Sequence, residues 1–340
     1  MGVTSPNNNT TNKAENDILT DYKDNKTIFK YILKELEILK KEININEITD
    51  KIKNLINFIN TQINNNENIN KILPNDINEK DNKIIFKKIT YENGDIYEGE
   101  TKNDFRHGKG KYFYKDGSTY EGEYNTGRKE GKGILIYKSG NKYEGEFKNN
   151  LPNGKGIIYF VDGDKYDGEV KNELMEGKGI FYFKNGNKYE GGFVNNYFCG
   201  QGIFYYQNGD KYTGEFNKGL FEGKGKMIFV NGDSFEGEYK NGKRNGYGIY
   251  KYYIIQYRND IYEGEYKDNK MHGKGRYYYT NRGEKYIGDY INGLKEGKGI
   301  YYYANGDRYE GDYKNDHSNG KGIYFLLMET DMKEILKILI

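Results

Sequence analysis

Four residue patterns in this 340-residue chain invite a chemical reading: recurring Gly-Lys-Gly triplets, acids flanking a glycine, three histidines and a single cysteine. The triplets, such as Gly131-Lys132-Gly133, suggest a phosphate loop. A Walker A loop, however, needs Gly-x-x-x-x-Gly-Lys followed by Ser or Thr at the opening of a helix. Here Gly follows the Lys, and a strand-like run comes next. His107, His272 and His317 each precede a glycine pair in distant parts of the chain, where loops are expected, and they are too far apart to share one metal. Cys199 occupies the same kind of segment without a neighbouring His base, which reads as a small loop residue rather than a nucleophile. Acids such as Glu121 and Glu123 recur with the glycines. A general acid–base pair needs two carboxyls in unequal environments, so this recurrence reads as a solvated sheet face. No catalytic, cofactor-binding or metal-binding residue emerges, and the chain is not expected to be an enzyme.

One recurring feature points to binding. The residue between the paired glycines is Lys at Lys109, Lys132, Lys155, Lys178, Lys224, Lys274, Lys298 and Lys321. A ladder of Lys beside aromatic rings is suited to anionic lipid headgroups. Pairing of the same lysines with glutamates on neighbouring strands would cancel that charge, and protein partners are the preferred expectation.

Composition sets the bounds. Lys and Arg number 53 against 51 Asp and Glu, and the balance holds on both sides of residue 90, so a nucleic-acid partner is not expected. A mean hydropathy of −1.01 disfavours a large aliphatic core. Yet 37 Tyr and 17 Phe are foreign to a disordered composition. One Cys excludes an internal disulfide framework and fits a reducing compartment. No run approaches the roughly 18 apolar residues of a membrane span. Gly2 hints at myristoylation, but Pro6 stands where that motif needs Ser or Thr.

The chain changes character near residue 90. Residues 1–90 hold 1 of the 45 Gly and 2 of the 37 Tyr, but 19 Asn. Residues 1–25 read as a disordered tail. Over 26–64 two apolar stripes, Ile28-Ile32-Leu36-Leu39-Ile43 and Ile48-Ile52-Leu55-Ile56-Ile59-Ile63, predict two amphipathic helices. Residues 65–83 form an Asn-rich linker. At the far end, 327–340, Asp331 and Glu334 resemble a capping box, and Met332, Ile335, Leu336 and Leu339 share a helical face. A C-terminal helix over about 331–339 that caps the preceding repeat is expected.

Between them, 84–326 is a repeat with a period of 23. Its units open at Tyr97, Tyr120, Tyr143, Tyr166, Tyr189, Tyr212, Phe235, Tyr262, Tyr286 and Tyr309. Glycine fills the third position of each, at Gly99, Gly122, Gly145, Gly168, Gly191, Gly214, Gly237, Gly264, Gly288 and Gly311, and also the twelfth and fourteenth. Positions one to six and thirteen to nineteen are rich in Tyr, Phe and Ile and predict strands. An Asn-Gly or Asp-Gly turn near positions twenty and twenty-one joins them into hairpins. The expected fold is mainly β: an elongated, single antiparallel meander. Because side chains alternate faces, an odd period inverts each unit unless a loop absorbs one residue; a three-residue loop with Gly in a bulge does so. That register puts Tyr120, Gly122, Tyr124, Gly133, Leu135 and Tyr137 on one face. Glu121, Glu123, Lys132, Ile134 and Ile136 lie on the other, with Lys132 opposite Glu146.

These units resemble MORN repeats, whose pattern runs Tyr-x-Gly-x-aromatic-x-x-Gly-x-x-x-Gly-x-Gly with a following Asn/Asp-Gly turn. Tyr212-Thr213-Gly214-Glu215-Phe216-Asn217-Lys218-Gly219, then Gly223-Lys224-Gly225 and Asn231-Gly232, carry it in full. Where the family often has Trp at position five, this chain uses Tyr or Phe, with Thr101 and Val170 as exceptions. The unit opening at Phe235 is extended between Tyr250 and Ile261. The resemblance implies a scaffold at a membrane-associated or cytoskeletal structure, cytoplasmic or peripheral to the plasma membrane. Phosphoinositide binding is the alternative it implies.

Overall fold

The computed structural model describes residues 83–253, 259–327 and 335–339. The two predicted N-terminal helices, over 26–64, lie outside the described residues. The rest is almost wholly β: among the described residues the helical structure is one 3-10 turn, Thr280–Arg282. The described residues fall into two compact units, one built from 83–133 with 148–150 and the other from 134–147, 151–253, 259–327 and 335–339. Within each, strands pair antiparallel with their neighbours in chain order.

Most repeats are hairpins of a seven-residue and a nine-residue strand, for example Lys165–Lys171 and Leu174–Tyr182. The second strand begins at position nine, not thirteen as the sequence predicted. It therefore takes in His107, His272, His317 and Cys199, all of which lie in strands rather than loops. The reason is the turn at positions seven and eight. Asn172 and Glu173 have φ of 49° and 69°, and Asn149 and Asn150 of 50° and 72°. Two successive left-handed residues make the two-residue hairpin turn whose twist matches the strands.

The extra residue of the odd period is absorbed where the sequence placed it. The Tyr114 N–H donates to Ser118 O at 3.0 Å and the Gly117 N–H to Tyr114 O at 3.0 Å, with Gly117 at φ 94°. This is a three-residue loop closed by a left-handed glycine. A second irregularity went unseen. Gly191 pairs with Gly202, but the next residue, Gly192, pairs with Cys199, so Gly200 and Gln201 bulge out. Two extra residues leave the alternation of faces intact.

The buried face is a single layer of rings on backbone. Tyr97, Tyr120, Tyr166, Tyr189, Tyr212, Phe235, Tyr262 and Tyr286 are 0 % exposed. The ring of Tyr166 lies so near the fourteenth-position Gly179 that a methyl group there would come within 2.4 Å of it. Its hydroxyl donates to the carbonyl of Glu169, three residues on, at 2.7 Å. The fifth-position aromatic meets the ring edge-on, as between Tyr189 and Phe193 at 5.3 Å. Position ten closes the layer with Phe198 or Phe221 stacked on Tyr189 or Tyr212, or with a cation. Arg106 lies over Tyr91, Tyr112 and Tyr124, and Lys295, its pKa lowered by burial, over Tyr279, Tyr286 and Tyr301.

Side-chain staples join consecutive repeats at both hairpin ends. At one end the acid or amide at position twenty-two caps the next turn: Asp233 accepts from the Tyr253 N–H at 2.6 Å and the Tyr250 hydroxyl at 3.1 Å. At the other, Asn196 accepts from the Met175 N–H at 2.8 Å. In the extended unit Asp260 does the work of Asp233, taking the Tyr277 hydroxyl, while the Tyr252 N–H closes the loop onto the Asp260 carbonyl.

The ends of the array differ from the pattern. Strand Ile85–Thr90 carries Lys87 where the fourteenth-position glycine would stand. No ring precedes it in the repeat register, Pro74 falling there, so no glycine is needed. At the C-terminus the predicted helix over 331–339 is not found: Ile335–Leu339 is a strand paired antiparallel with His317–Leu327, Ile323 opposite Leu339 and Leu327 opposite Ile335. Ile335, Leu336, Ile338 and Leu339 fit a strand as well as a helix face, and an open sheet edge offers a backbone partner that outweighs local helical preference.

Candidate partner-binding face

The face opposite the rings carries a row in which position seventeen meets the residue before the next opening aromatic, as Tyr159 meets Lys165, and two rows nearer the glycines. One row alternates position thirteen with position four of the following repeat: Lys109 opposite Glu123, Lys155 opposite Glu169, Lys224 opposite Glu238, Lys274 opposite Asp289, Lys298 opposite Asp312. All eight ladder lysines are exposed. Lys274 and Lys298 form ion pairs of 2.5 Å with Asp289 and Asp312. The acids have a second duty. In its own repeat each sits against the bulge, and the backbone N–H of the position-thirteen Lys donates to it: Lys109 to Glu100 at 3.3 Å, Lys224 to Glu215 at 3.2 Å, Lys274 to Glu265 at 3.1 Å. The lysines are thus interleaved with fixed carboxylates rather than presented as a sheet of positive charge. Cross-strand pairing was legible in the sequence; capping of the bulge was not, because the bulge itself was unseen.

The second row alternates position fifteen with position two. Through most of its length apolar or basic residues alternate with acids: Ile157 opposite Asp167, Lys226 opposite Glu236, Ile249 opposite Glu263. As the register expected, Ile134 and Ile136 are exposed on this face, whereas Tyr120, Tyr124 and Leu135 are buried on the other. The acid is replaced twice, by the polar Thr213 in the sixth repeat and by an apolar residue in the ninth. Ile287 replaces the acid and stands directly opposite Ile300. Here the two rows bound an open cleft of about 930 Å³ floored by glycine backbone, with Tyr247, Lys274, Arg276, Lys298, Lys321 and Ile323 along its sides. The Tyr247 hydroxyl donates to Glu263 at 2.5 Å, and that bond raises its pKa to about 12.

The structure keeps the three histidines in separate repeats, and among the described residues no group of three or more His, Cys, Asp or Glu gathers to hold a metal. His272 Nδ1 is buried without a hydrogen-bond partner among the described residues.

The MORN repeat model matches ten successive segments, from 97–119 to 309–325, broken between 253 and 262 where the extended loop lies. The chain belongs to the MORN-repeat family. Its ten MORN repeats coincide with the ten ring-on-glycine hairpins described above. No curated protein matches the chain. Among solved structures it is similar to the TCP10 domain of Danio rerio CPAP, at 10 % identity and a TM-score of 0.25 over 66 % of this chain and 94 % of that one. The CPAP G-box domain gives 11 % and 0.16, covering 75 % and 98 %. A catalytically inactive virginiamycin B lyase from Staphylococcus aureus gives 14 % and 0.14, covering 75 % and 88 %. Likeness of that degree bears on neither the chemistry nor the partners of the MORN array.

Proposed function

We propose that this MORN-repeat protein is a non-catalytic scaffold whose open face binds another protein along its last four repeats. The observation that carries the reading is the Ile287–Ile300 pair, where two apolar side chains face each other inside a cleft, in a row whose other position-two residues are acids or Thr213. Apolar centres rimmed by charge are the usual anatomy of a protein interface. The cleft crosses seven strands, from Lys243–Lys251 to His317–Leu327. At a spacing of about 4.8 Å it receives a segment of roughly 29 Å, the length of about 19 helical residues. Interleaving of lysines with acids supports a protein partner over a lipid surface. The family resemblance and the low cysteine content support a cytoplasmic location at a membrane-associated or cytoskeletal structure.

The test is proximity labelling in cells with the wild-type chain and with Ile287→Asp/Ile300→Asp. Both positions are half-buried on the open face, so the variant folds while losing the apolar centre. A set of labelled proteins lost in the variant supports the reading; an unchanged set refutes it.

A further inference from the structure

The fifth repeat, opening at Tyr189, breaks the acid pattern. Position four is acidic in nine repeats and Gly192 in this one. In the other nine, the side chain of that acid lies against the twelfth-position glycine. A methyl group built on Gly177 would meet the carboxylate of Glu169, and one on Gly223 that of Glu215. Built on Gly200, it meets nothing within 4 Å. The backbone of Gly200 has a left-handed φ of 70°, within the 57–120° of its counterparts, and the pairing skips two residues as elsewhere, while the Cys199 carbonyl stands close to where a Cβ on Gly192 would lie. Among the described residues no carboxylate caps the N–H of Gln201, although the equivalent amide is capped at Lys178 by Glu169 and at Lys224 by Glu215.

The same substitution strips a second group of its acid. Lys178, on the preceding strand, stands opposite Gly192 rather than opposite a carboxylate, and its side chain is exposed. The thirteenth residue here is Gln201, so the notch carries no second lysine. An amide without a carboxylate cap and an ammonium facing no acid, both among the described residues, therefore flank one position that a carboxylate fills in the other nine repeats.

We propose that this notch is a binding site for a carboxylate supplied from outside the chain, an Asp or Glu side chain of a partner segment lying on the open face. The ligand completes the fifth repeat as Glu169 completes the fourth and Glu215 the sixth. The charge-assisted bond to an amide and the pairing with an ammonium are the two interactions the chain's own acids make elsewhere. The inference rests on the partner-binding reading only for the source of the carboxylate. A small-molecule probe separates the two, since its failure leaves the apolar cleft of the last four repeats untouched.

The experiment is a titration of the full isotope-labelled chain with sodium acetate against sodium chloride at matched ionic strength, followed by backbone amide shifts. The Gln201 amide should shift saturably with acetate, and the Lys224 amide, already capped by Glu215, should not. Lys178→Gln should remove most of the Gln201 response. Glu169→Ala, which leaves Lys155 opposite the emptied position, should make the Lys178 amide respond as Gln201 does. Gly192→Glu is not used, because its Cβ would meet the Cys199 carbonyl at 2.4 Å. Equal small shifts at Gln201 and Lys224, or a response indifferent to Lys178→Gln, overturn the site. A parallel arm with inorganic phosphate distinguishes the anion: a stronger response to phosphate than to acetate overturns the carboxylate assignment.

Discussion

Lys298 and Asp312 lie opposite each other on neighbouring strands, joined by an ion pair of 2.5 Å. Lys274 and Asp289 repeat the relationship one repeat earlier. As exposed pairs they contribute about 0–1 kcal/mol to stability, so their importance lies in charge. With the acids that face Lys109, Lys155 and Lys224, they balance most of the ladder's charge over a distance shorter than the screening length of about 8 Å. Sedimentation with vesicles containing phosphoinositide should therefore exceed that with neutral vesicles little, even at low salt. Strong, salt-sensitive binding weakened by Lys274→Gln/Lys298→Gln would restore the lipid alternative.

The ring-on-glycine layer predicts a steep cost for the smallest side chain. Gly179→Ala places a methyl group 2.4 Å from the Tyr166 ring. Overpacking of this kind costs about 1–3 kcal/mol, read as a lower urea midpoint. Lys178→Ala, one residue away but exposed, should change stability by less than about 0.5 kcal/mol. Equal effects would mean that the rings do not hold the repeat together.

Most of this layer was legible in the sequence. Tyr, Gly and the second Gly recur at fixed spacing, and strand alternation alone puts them on one face. The bulge at positions twelve and thirteen was not legible, because glycine there has two explanations, ring clearance and left-handed φ, and only coordinates separate them. Nor was the two-residue turn, since Asn172-Glu173 and Lys218-Gly219 lack a common signature beyond tolerance of φ above zero. The C-terminal strand was misread as a helix because Ile335, Leu336 and Leu339 satisfy both periods, and the choice is made by the neighbouring edge at Ile323–Leu327. The cleft is not legible because Ile287 is the one apolar residue at position two, against eight acids and Thr213.

The turn at positions seven and eight offers a stabilising change. Thr126 has φ 48°, a region unfavourable to a β-branched residue, whereas Asn occupies the equivalent place in most repeats. Thr126→Asn should raise stability by about 1 kcal/mol, measured as a higher melting temperature. A neutral or destabilising result would contradict the turn geometry.

Buried tyrosines fix the alkaline limit. Burial raises the pKa of Tyr97, Tyr143 and Tyr279 from 10 to about 12. The folded chain therefore holds these protons when the unfolded chain has lost them. Their contribution is fully present below pH 10 and declines as pH rises from 10 towards 12. Urea stability should be flat between pH 7 and 9 with respect to these groups and fall above 10. Absorbance of the phenolate should show that they ionise only as the fold is lost. Ionisation near pH 10 without unfolding would contradict the burial.

The central claim, that the last four repeats bind a protein on their open face, is tested most directly by site-specific photo-crosslinking in cells. A photoreactive amino acid replaces Ile300 in the cleft or, as a control, the exposed Ile136 on the same face outside it. The account predicts a discrete protein adduct from position 300 that is absent from position 136 and lost when Ile287→Asp is added. Equal adducts from both positions, or lipid adducts alone from position 300, would contradict it.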